Sequence, residues 1–291
     1  MKEDSKVIGF IGTGVMGNGM ASNLIKGGLN LIVYNRSREK AENLVQNGAV
    51  WKDTVEELSR EADIIISIVG YPKDVEEIYL GEHGVVDNAK KGSIIIDMTT
   101  SKPSLAKKIY EKAAEKGIFS LDAPVSGGDI GARDGVLSIM VGGDRGIFEN
   151  VKPIFELMGS NIVWQGPAGA GQHTKMCNQI AIAANMMGVC EAMVYAKKSG
   201  LDQEKVLESI SKGGASSWSL SNLAPRMIKG DFDPGFYVKH FVKDMNIAID
   251  EAEKMNLDTP ALKLSKSLYD ELLENGKGSY GTQVLYKLLS K

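Results

Sequence analysis

Three polar side chains in the middle of the chain have the types and the spacing of an acid–base site. Lys175, Asn178 and Gln179 stand three and four residues apart, so on a helix they share one face. The residues that follow are mostly apolar, and polar groups buried among them need hydrogen-bond partners. Lys175 lies near the predicted helix start, where the dipole disfavours the charged form of its amine. This position suits a lysine that exchanges protons with a substrate, although a structural lysine that snorkels to solvent would show the same pattern.

A second polar segment, DAPVSGG at 122–128, could bind an anionic group. It follows the predicted strand Phe119–Leu121 near the carboxyl edge of a sheet, where ligands bind in open α/β folds. The Ser126 hydroxyl and the amides of Gly127 and Gly128 are closely packed donors suited to a carboxylate. A structural turn fits the same residues equally well, so the segment by itself leaves both interpretations open.

The start of the chain carries a phosphate-binding motif. GTGVMG at 12–17 is a G-x-G-x-x-G that directly follows the predicted strand Lys6–Ile11 and opens the predicted helix Val15–Lys26. In this context the glycines permit a tight turn, let the backbone approach a pyrophosphate and allow close packing of helix on strand. The phosphates of a dinucleotide would then lie among the free N–H groups at the start of the helix.

The end of the second predicted strand, Leu31–Tyr34, indicates which dinucleotide is bound. Sites selective for NAD usually place a carboxylate there, about 20 residues after the motif, to hold the ribose 2′-hydroxyl. This chain has Asn35, Arg36, Ser37 and Arg38 instead. The loop therefore contains no carboxylate that could repel a 2′-phosphate, and its two guanidinium groups and hydroxyl could bind one. The pattern favours NADP as cofactor, unless both arginines are simply solvated loop charges.

Elements of alternating type carry these groups in the first half of the chain. The β-branched runs Ile64–Val69 and Ser93–Asp97 are typical of strands buried on both faces of a parallel sheet. A helix is predicted over Glu39–Gln46, and a further strand over Leu137–Val141. The alternation predicts an α/β fold whose N-terminal Rossmann-type, doubly wound sheet takes up residues 1–165.

The second half of the chain is predicted to be helical. Helix periodicity continues beyond Gly171 almost to the end, and Thr174–Lys198 could be the spine of an all-α C-terminal domain over residues 166–291. If Cys177 and Cys190 both lie on that helix, they stand about 20 Å apart, too far for a disulfide. Each is interpreted as a small buried hydrophobic residue.

Charge and composition argue against several classes of partner. A net charge of −3 gives no reason to expect nucleic acid. The longest apolar run, Ile180–Ala196, is interrupted by Asn185 and Glu191 and is shorter than the roughly 20 residues of a membrane span. The three histidines have no ligand spacing, so no metal site is predicted. The charged start of the chain does not resemble a secretory signal, and a cytoplasmic location is expected.

Four motifs together resemble those of the β-hydroxyacid dehydrogenases, the family that contains 3-hydroxyisobutyrate dehydrogenase and tartronate semialdehyde reductase. They are GFIGTGVMG at 9–17, DAPVSGGDIGARDG at 122–135, GAGQHTKMCNQ at 169–179, and the Lys-Asp pair at 243–244 that ends a segment beginning with Phe236. The resemblance covers essentially the whole chain, and four motifs in the same order are highly specific.

The resemblance implies a role for individual residues. Lys175 would be the acid–base catalyst, Asn178 would orient the substrate, and Lys243 would close over cofactor and substrate. Thr99 and Thr100 match a cofactor-contacting pair of the family. The expected substrate contacts are Ser126, Gly127, Gly128, Asn178 and Gln179. The expected cofactor contacts are Gly12, Gly14, Val15, Met16, Gly17, Asn35, Arg36, Ser37, Arg38, Val69, Thr99 and Lys243.

The resemblance also implies a reaction, the NAD(P)-dependent interconversion of a short 3-hydroxy acid and its semialdehyde. NADP is the favoured cofactor, NAD is an alternative, and a homodimer or homotetramer is expected. Two other readings stay open: a non-catalytic dinucleotide-binding module, against which Lys175 counts, and a dehydrogenase of serine-type 3-hydroxy amino acids. Gln179 in place of a second asparagine, and His240 in place of an apolar residue, depart from the family pattern and leave the substrate undecided.

Overall fold

The computed structural model describes residues 6–291, and the chain divides into two compact units, Met1–Lys175 and Met176–Lys291. The boundary predicted from the sequence, after residue 165, lies ten residues earlier. The first turn of the long helix that follows packs against the sheet. A Cβ added to Gly171 would lie 2.3 Å from the carbonyl oxygen of Met140. The first residues of a helix therefore belong to the α/β unit.

The described part of the first unit contains one sheet of nine strands. They are β1 (Val7–Ile11), β2 (Asn30–Tyr34), β3 (Val50–Trp51), β4 (Ile64–Ser67), β5 (Ile94–Asp97), β6 (Phe119–Asp122), β7 (Val125–Ser126), β8 (Leu137–Gly143) and β9 (Gly159–Gly166). The strand order is β3-β2-β1-β4-β5-β6-β8-β7, and β9 pairs with β8. The strands from β3 to β6 are parallel, whereas β8 runs antiparallel to both β6 and β7. The order and the parallel pairing confirm the predicted Rossmann-type sheet.

Helices connect these strands. They are α1 (Val15–Lys26), α2 (Glu42–Gln46), α3 (Val55–Glu61), α4 (Pro72–Leu80), α5 (Val85–Asn88), α6 (Pro103–Glu115), α7 (Gly128–Asp134) and α8 (Arg145–Phe155). The helix predicted over residues 39–46 is shorter, because a 3₁₀ turn at Arg38–Ala41 precedes α2. The structure also adds β7, a two-residue strand inside the segment for which the sequence predicted only a loop or turn.

The central strands of the sheet are buried on both faces. Ile64 and Ile66 of β4 pack into one hydrophobic core with Met20 of α1, and Ile65 packs into a second core with Tyr79 of α4. Successive side chains of a strand point to opposite faces, so a run of isoleucines fills two cores at once. This packing explains the uninterrupted β-branched runs and holds the carboxyl ends of β4, β5 and β6 at one edge.

The second unit is helical, as predicted, apart from an isolated bridge between Tyr237 and Gly281 in the described chain. Its helices are α9 (Ala170–Lys198, which begins in the first unit), α10 (Gln203–Ile210), α11 (Trp218–Asn222), α12 (Ala224–Ile228), α13 (Val238–Lys254), α14 (Pro260–Glu274) and α15 (Leu285–Leu289). Asp202 caps α10 as expected, since its side chain accepts hydrogen bonds from the backbone N–H groups of Glu204 and Lys205.

Helix α9 is longer than the sequence indicated. It begins at Ala170, one turn before the predicted start at Thr174. Over its 29 residues it is long and apolar enough, by length and composition alone, to cross a membrane. Met186 and Met193 of this helix lie in the hydrophobic core of the second unit. The core helices of water-soluble proteins pass the same test of length and composition.

The two cysteines of α9 are free, and they differ in environment. Cys190 is buried, as predicted, and burial raises the pKa of its thiol well above the usual range. Cys177 is exposed, so the prediction of a second buried cysteine is wrong. Cys177 lies on the side of α9 that faces away from the hydrophobic core of its unit. Because the helix is apolar on most sides, its sequence does not show which side is buried.

Candidate active site

The glycine-rich turn after β1 has the shape that the motif requires. Gly12 has a φ of +95°, and a Cβ there would lie 2.1 Å from the Ile68 carbonyl oxygen. A Cβ on Gly17 would lie 1.9 Å from the Gly12 carbonyl oxygen, so this residue lets α1 pack on the turn. A Cβ on Gly14 would meet nothing within 4 Å. The backbone at the start of α1 is therefore open to an approaching phosphate.

The loop after β2 holds the glycine-rich turn in place. The Asn35 side chain accepts a hydrogen bond from the Thr13 backbone N–H at 3.2 Å and donates one to the Ser37 carbonyl at 2.9 Å. Asn35 thus braces two loops of the predicted cofactor site. Its amide oxygen and nitrogen both have partners in the loops themselves.

The two arginines of this loop have different surroundings. The Arg36 Nη1 atom lies 3.4 Å from an Asp74 carboxylate oxygen, and 78% of the Arg36 side chain remains exposed. The Arg38 guanidinium stands over the Trp51 ring, 5.5 Å from its centroid. Asp74, at the start of α4, is a neighbour of the predicted cofactor loop that the sequence did not reveal. Its distance of 38 residues from Arg36 leaves no local signal.

A buried hydrogen-bond network lies behind the ends of β4 and β5. The Ser67 hydroxyl donates to the Asp97 carboxylate at 3.0 Å and shares a hydrogen bond with the Tyr79 hydroxyl. Asp97 also accepts from the Thr99 backbone N–H, while the Thr99 hydroxyl accepts from the Val69 N–H at 2.9 Å. Thr99 is 2% exposed, and its buried hydroxyl holds the backbone of Val69 in place.

Burial dominates the electrostatics of Asp97. Because the carboxyl group is buried, its pKa is raised to about 6, and the hydrogen bonds from Thr99 and Ser67 offset only part of that effect. Asp122 ends the neighbouring strand β6, and burial raises the pKa of its carboxyl group as well. The signal that could have singled out both residues is an aspartate at the carboxyl end of two adjacent parallel strands.

The predicted substrate loop and the predicted catalytic lysine lie together. The Lys175 ammonium nitrogen donates a hydrogen bond to the Val125 carbonyl oxygen at 2.9 Å, and Lys175 is 6% exposed. Ser126 follows Val125 directly and ends β7. Gly127 and Gly128 then adopt φ values of 134° and 65°, a conformation that side chains rarely tolerate. Both positions therefore favour glycine, which adopts these positive φ values at no steric cost.

The remaining predicted residues form a polar chain within the second unit. Asn178 donates to the Gln179 side-chain oxygen at 2.7 Å, and Gln179 donates to the Asp244 carboxylate at 2.6 Å. Asp244 lies 2.9 Å from the Lys243 ammonium nitrogen. Gln179 is 1% exposed and uses both ends of its carboxamide, whereas Asn178 is only half-buried. Asn178 is thus the better placed of the two to meet a ligand.

His240 lies one turn before Asp244 on α13. Burial is the largest effect on its imidazole and lowers its pKa, and the positive charges of Lys243 and Lys239 lower it further. The histidine that departs from the family pattern is therefore a half-buried ring whose positively charged form is disfavoured.

A glycine-rich turn that opens a helix at the end of the first strand of a parallel sheet, together with a buried lysine beside a serine-glycine loop, defines a class. The class is the dinucleotide-dependent oxidoreductases with a Rossmann-type first unit and a helical second unit. In agreement, residues 7–166 match the family model for the NAD binding domain of 6-phosphogluconate dehydrogenase. Residues 169–289 match the model for NAD-binding of NADP-dependent 3-hydroxyisobutyrate dehydrogenase.

Individual relatives narrow the class to a family. The chain is 64% identical to an uncharacterised oxidoreductase of Bacillus subtilis, covering 98% of this chain and 99% of the relative. It is 40% identical to 2-hydroxy-3-oxopropionate reductase of Escherichia coli, over 97% and 96% of the two chains. A solved structure of Mycobacterium tuberculosis 3-hydroxyisobutyrate dehydrogenase with L-serine superposes with a TM-score of 0.90 at 27% identity, covering 98% and 99%. The chain belongs to the β-hydroxyacid dehydrogenase family, and its cofactor is a nicotinamide dinucleotide.

Proposed function

We propose that this protein interconverts a short 3-hydroxy acid and the corresponding semialdehyde, with Lys175 as general acid and base and with NADP(H) as the preferred cofactor. The observation that carries the proposal is the contact between the Lys175 ammonium group and the Val125 carbonyl. Val125 directly precedes Ser126, Gly127 and Gly128, whose hydroxyl and backbone amides are suited to a carboxylate, so the contact supports a shared site for the buried amine and that loop.

The substrate carboxylate is proposed to bind the Ser126 hydroxyl and the N–H groups of Gly127 and Gly128. Lys175 accepts the proton of the substrate hydroxyl as hydride leaves the same carbon. In the opposite direction, Lys175 returns that proton to the carbonyl oxygen of the semialdehyde. The bound dinucleotide supplies the hydride acceptor or donor, and the protein supplies orientation and one proton path. By family resemblance, Asn178 orients the substrate and Lys243 closes over cofactor and substrate.

The preference for NADP(H) rests on the loop after β2. Arg36 and Arg38 offer two guanidinium groups, Ser37 offers a hydroxyl, and Asn35 stands where NAD-selective sites usually have a carboxylate. The ion pair of Arg36 with Asp74 does not remove this arginine from the site. The Arg36 side chain remains 78% exposed, although the Asp74 side chain is only 8% exposed. A guanidinium carries five N–H donors, and charge-assisted hydrogen bonds to a phosphate are among the strong ones.

We expect a cytoplasmic location. By resemblance to the family, we also expect a homodimer or homotetramer that pairs through the helical domain. The use of α9 as a core element of the second unit, with Met186 and Met193 in the hydrophobic core, supports a helix that remains within the folded protein. Light scattering coupled to size-exclusion chromatography measures the assembly directly.

A serine-type 3-hydroxy amino acid is the second candidate substrate. One specific observation favours it, namely that the superposable dehydrogenase of Mycobacterium tuberculosis is described with L-serine. Serine is itself a short 3-hydroxy acid, and its carboxylate could use the same serine-glycine loop. The amino group on the neighbouring carbon distinguishes it from the other candidates.

The test is a panel of substrates with each cofactor. Succinic, tartronate and methylmalonate semialdehydes and glyoxylate are offered with NADPH and with NADH, and L-serine is offered with both oxidised cofactors. We expect turnover of at least one aldehyde, with the higher kcat/KM for NADPH. Lys175→Ala should lower kcat by at least about 100-fold, the usual contribution of general acid–base catalysis.

Lys175→Arg is the matched control for charge. Arginine keeps the positive charge but does not give up a proton near neutral pH, so it should be nearly as impaired as alanine. Near-normal activity in either variant contradicts the assignment of Lys175. Tight NADPH binding without turnover of any compound would instead favour the non-catalytic binding module.

A further inference from the structure

Helix α9 begins without a capping side chain of its own. The residue before it is Gly169, and the cap is supplied by Asp122, at the end of β6. One carboxylate oxygen accepts the Gly169 backbone N–H at 2.7 Å, and the other accepts the Gln172 N–H at 2.8 Å. A capping side chain normally belongs to the residue that directly precedes the helix, as Asp202 does for α10. Here it comes from 47 and 50 residues away, so the cap ties a helix start to a strand end.

Two glycines let the helix approach the strands closely enough for this cap. A Cβ on Gly142 would lie 2.5 Å from an Asp122 carboxylate oxygen and 2.7 Å from the Gly171 nitrogen. A Cβ on Gly171 would lie 2.3 Å from the Met140 carbonyl oxygen. The first turn of α9 is therefore held against the ends of β6 and β8 by direct backbone contact.

Gln172 provides a second attachment of the same helical turn. Its side-chain nitrogen donates to the Thr99 carbonyl at 2.7 Å, and its side-chain oxygen accepts from the Ser101 N–H at 2.9 Å. Gln172 is 0% exposed, and both ends of its carboxamide are satisfied. These bonds tie α9 to the segment after β5, so the helix start is attached to two neighbouring strand ends.

Lys175 lies one turn further along the helix. Its amine donates to the Val125 carbonyl, only three residues beyond Asp122. The short segment from Asp122 to Val125 thus binds the helix backbone at one end and the lysine amine at the other. A long lysine side chain has several freely rotating bonds, so the position of its amine depends on how firmly the helix and the acceptor are held.

We propose that Asp122 and Gln172 are positioning residues for Lys175: by fastening the first turn of α9 to the ends of β5 and β6, they set the position of the amine relative to the Ser126 loop. The proposal rests on the role of Lys175 proposed above. A misplacement of about 1 Å in a catalytic group can cost about 100-fold in rate, so such a fastening has a kinetic consequence.

The carboxylate itself is an argument for this role. The hydrogen bonds that lower the pKa of Asp122 come from backbone N–H groups, and they oppose a larger effect of burial. A buried carboxylate held by amides carries a desolvation cost that an apolar contact would avoid. The carboxylate does, however, fix the orientation of the helix start, because its two oxygens can accept hydrogen bonds from two N–H groups of one helical turn at the same time.

Asp122→Asn tests the proposal, since it keeps the shape of the side chain and replaces one acceptor oxygen by a donor that faces an N–H group. We expect kcat to fall by about 10- to 100-fold, while KM for the aldehyde and Kd for NADPH stay within about threefold. Because the substitution changes the placement of the Lys175 amine, the loss should appear in kcat and not in the binding of NADPH. A purely structural role would instead lower kcat and NADPH binding together.

Asp144→Asn is the matched control. Asp144 caps α8 through the Ile147 N–H at 2.9 Å, and α8 carries none of the predicted site residues. The same substitution there should leave kcat unchanged. Gln172→Met is the second test variant, which removes the bonds to Thr99 and Ser101 with little change in volume, and it serves if Asp122→Asn does not fold. It should show the same loss of kcat with unchanged NADPH binding.

Lys175→Ala, measured in parallel, separates the two proposals. If that variant keeps its activity, the catalytic role proposed for Lys175 fails, and the positioning role fails with it, whatever the other variants do. If Lys175→Ala is inactive but folded Asp122→Asn and Gln172→Met both keep kcat within about threefold of wild type, the positioning role is refuted and the proposed function stands. A loss of NADPH binding in step with kcat would also refute the positioning role, because Asp122 and Gln172 would then stabilise the first unit as a whole and not the position of Lys175 in particular.

Discussion

At the scale of single residues, the loop after β2 shows how partners far apart in sequence modify a local motif. Arg36 faces Asp74 of α4, and Arg38 stacks on Trp51 of β3. Asn35, the residue where a carboxylate is usual in NAD-selective sites, is engaged with the glycine-rich turn. The sequence shows which residues stand in this loop, but not which of their side chains already contact other residues of the protein.

Arg36→Ala should separate the two cofactors. Loss of a guanidinium that binds a 2′-phosphate should lower kcat/KM for NADPH by about 10-fold or more, since hydrogen bonds to charged groups contribute about 1.5–3 kcal/mol. NADH lacks that phosphate, so its kcat/KM should stay within about threefold. Steady-state kinetics with both cofactors measure the ratio. Arg60→Ala, at an exposed arginine on α3, is the control and should change neither value.

An equal loss with NADH and NADPH would contradict this prediction. The arginine would then support the loop or the common part of the dinucleotide. Loss of the ion pair with Asp74 would then account for the effect, because it could move the start of α4.

At the scale of elements, the start of α9 is the feature that the sequence misplaced. Periodicity predicted a start at Thr174, but the helix begins at Ala170 because Asp122 caps it from β6. Lys175 therefore lies in the second turn, where the helix dipole has a weaker effect than in the first. The sequence also failed to predict the two-residue strand β7. This strand is defined by its pairing with β8, and two residues are too few to show a periodic pattern.

Gly171→Ala should destabilise the protein by about 2 kcal/mol or more. The added methyl group would meet backbone atoms of Met140 and Asp122, which cannot rotate away as side chains do. Gly188→Ala is the matched control on the same helix, because a Cβ there meets nothing within 4 Å. It should stabilise α9 by up to about 1 kcal/mol through helix propensity. Thermal and denaturant unfolding measure both effects.

Equal stabilities for the two variants would show that α9 moves away from the strand ends at little cost. In that case the close approach at Gly171 does not hold the helix start, and the fastening by Asp122 would be weaker than its geometry indicates.

At the scale of the whole molecule, one buried carboxyl group connects stability to pH. Asp97 has a pKa raised to about 6 by burial, above the value of 3.8 for the exposed group. The folded state therefore holds a proton that the unfolded state has already lost. This stabilisation is complete below about pH 4 and is lost as the pH rises through about 6.

Asp97→Asn should remove this pH dependence. A difference of about two pKa units corresponds to roughly 3 kcal/mol, of which about 2 kcal/mol should be lost between about pH 4.5 and pH 7. The stability of wild type relative to the variant should fall by that amount over this interval. Denaturant unfolding at several pH values, with both proteins in the same buffers, measures it. A constant difference between the two proteins would contradict the raised pKa.

The sequence by itself determined the alternation of strands and helices, the glycine-rich turn, the helical second half and the residue types of the site. These features depend on burial periodicity and on local backbone conformation, which neighbouring residues dictate. The tertiary structure alone decided that Lys175 meets Val125, that Asp122 caps α9, that Gln179 rather than Asn178 is committed to Asp244, and that Cys177 is exposed. Such contacts join segments tens of residues apart, and a hydrogen-bond partner at that distance depends on the path of the whole chain, which no local pattern records.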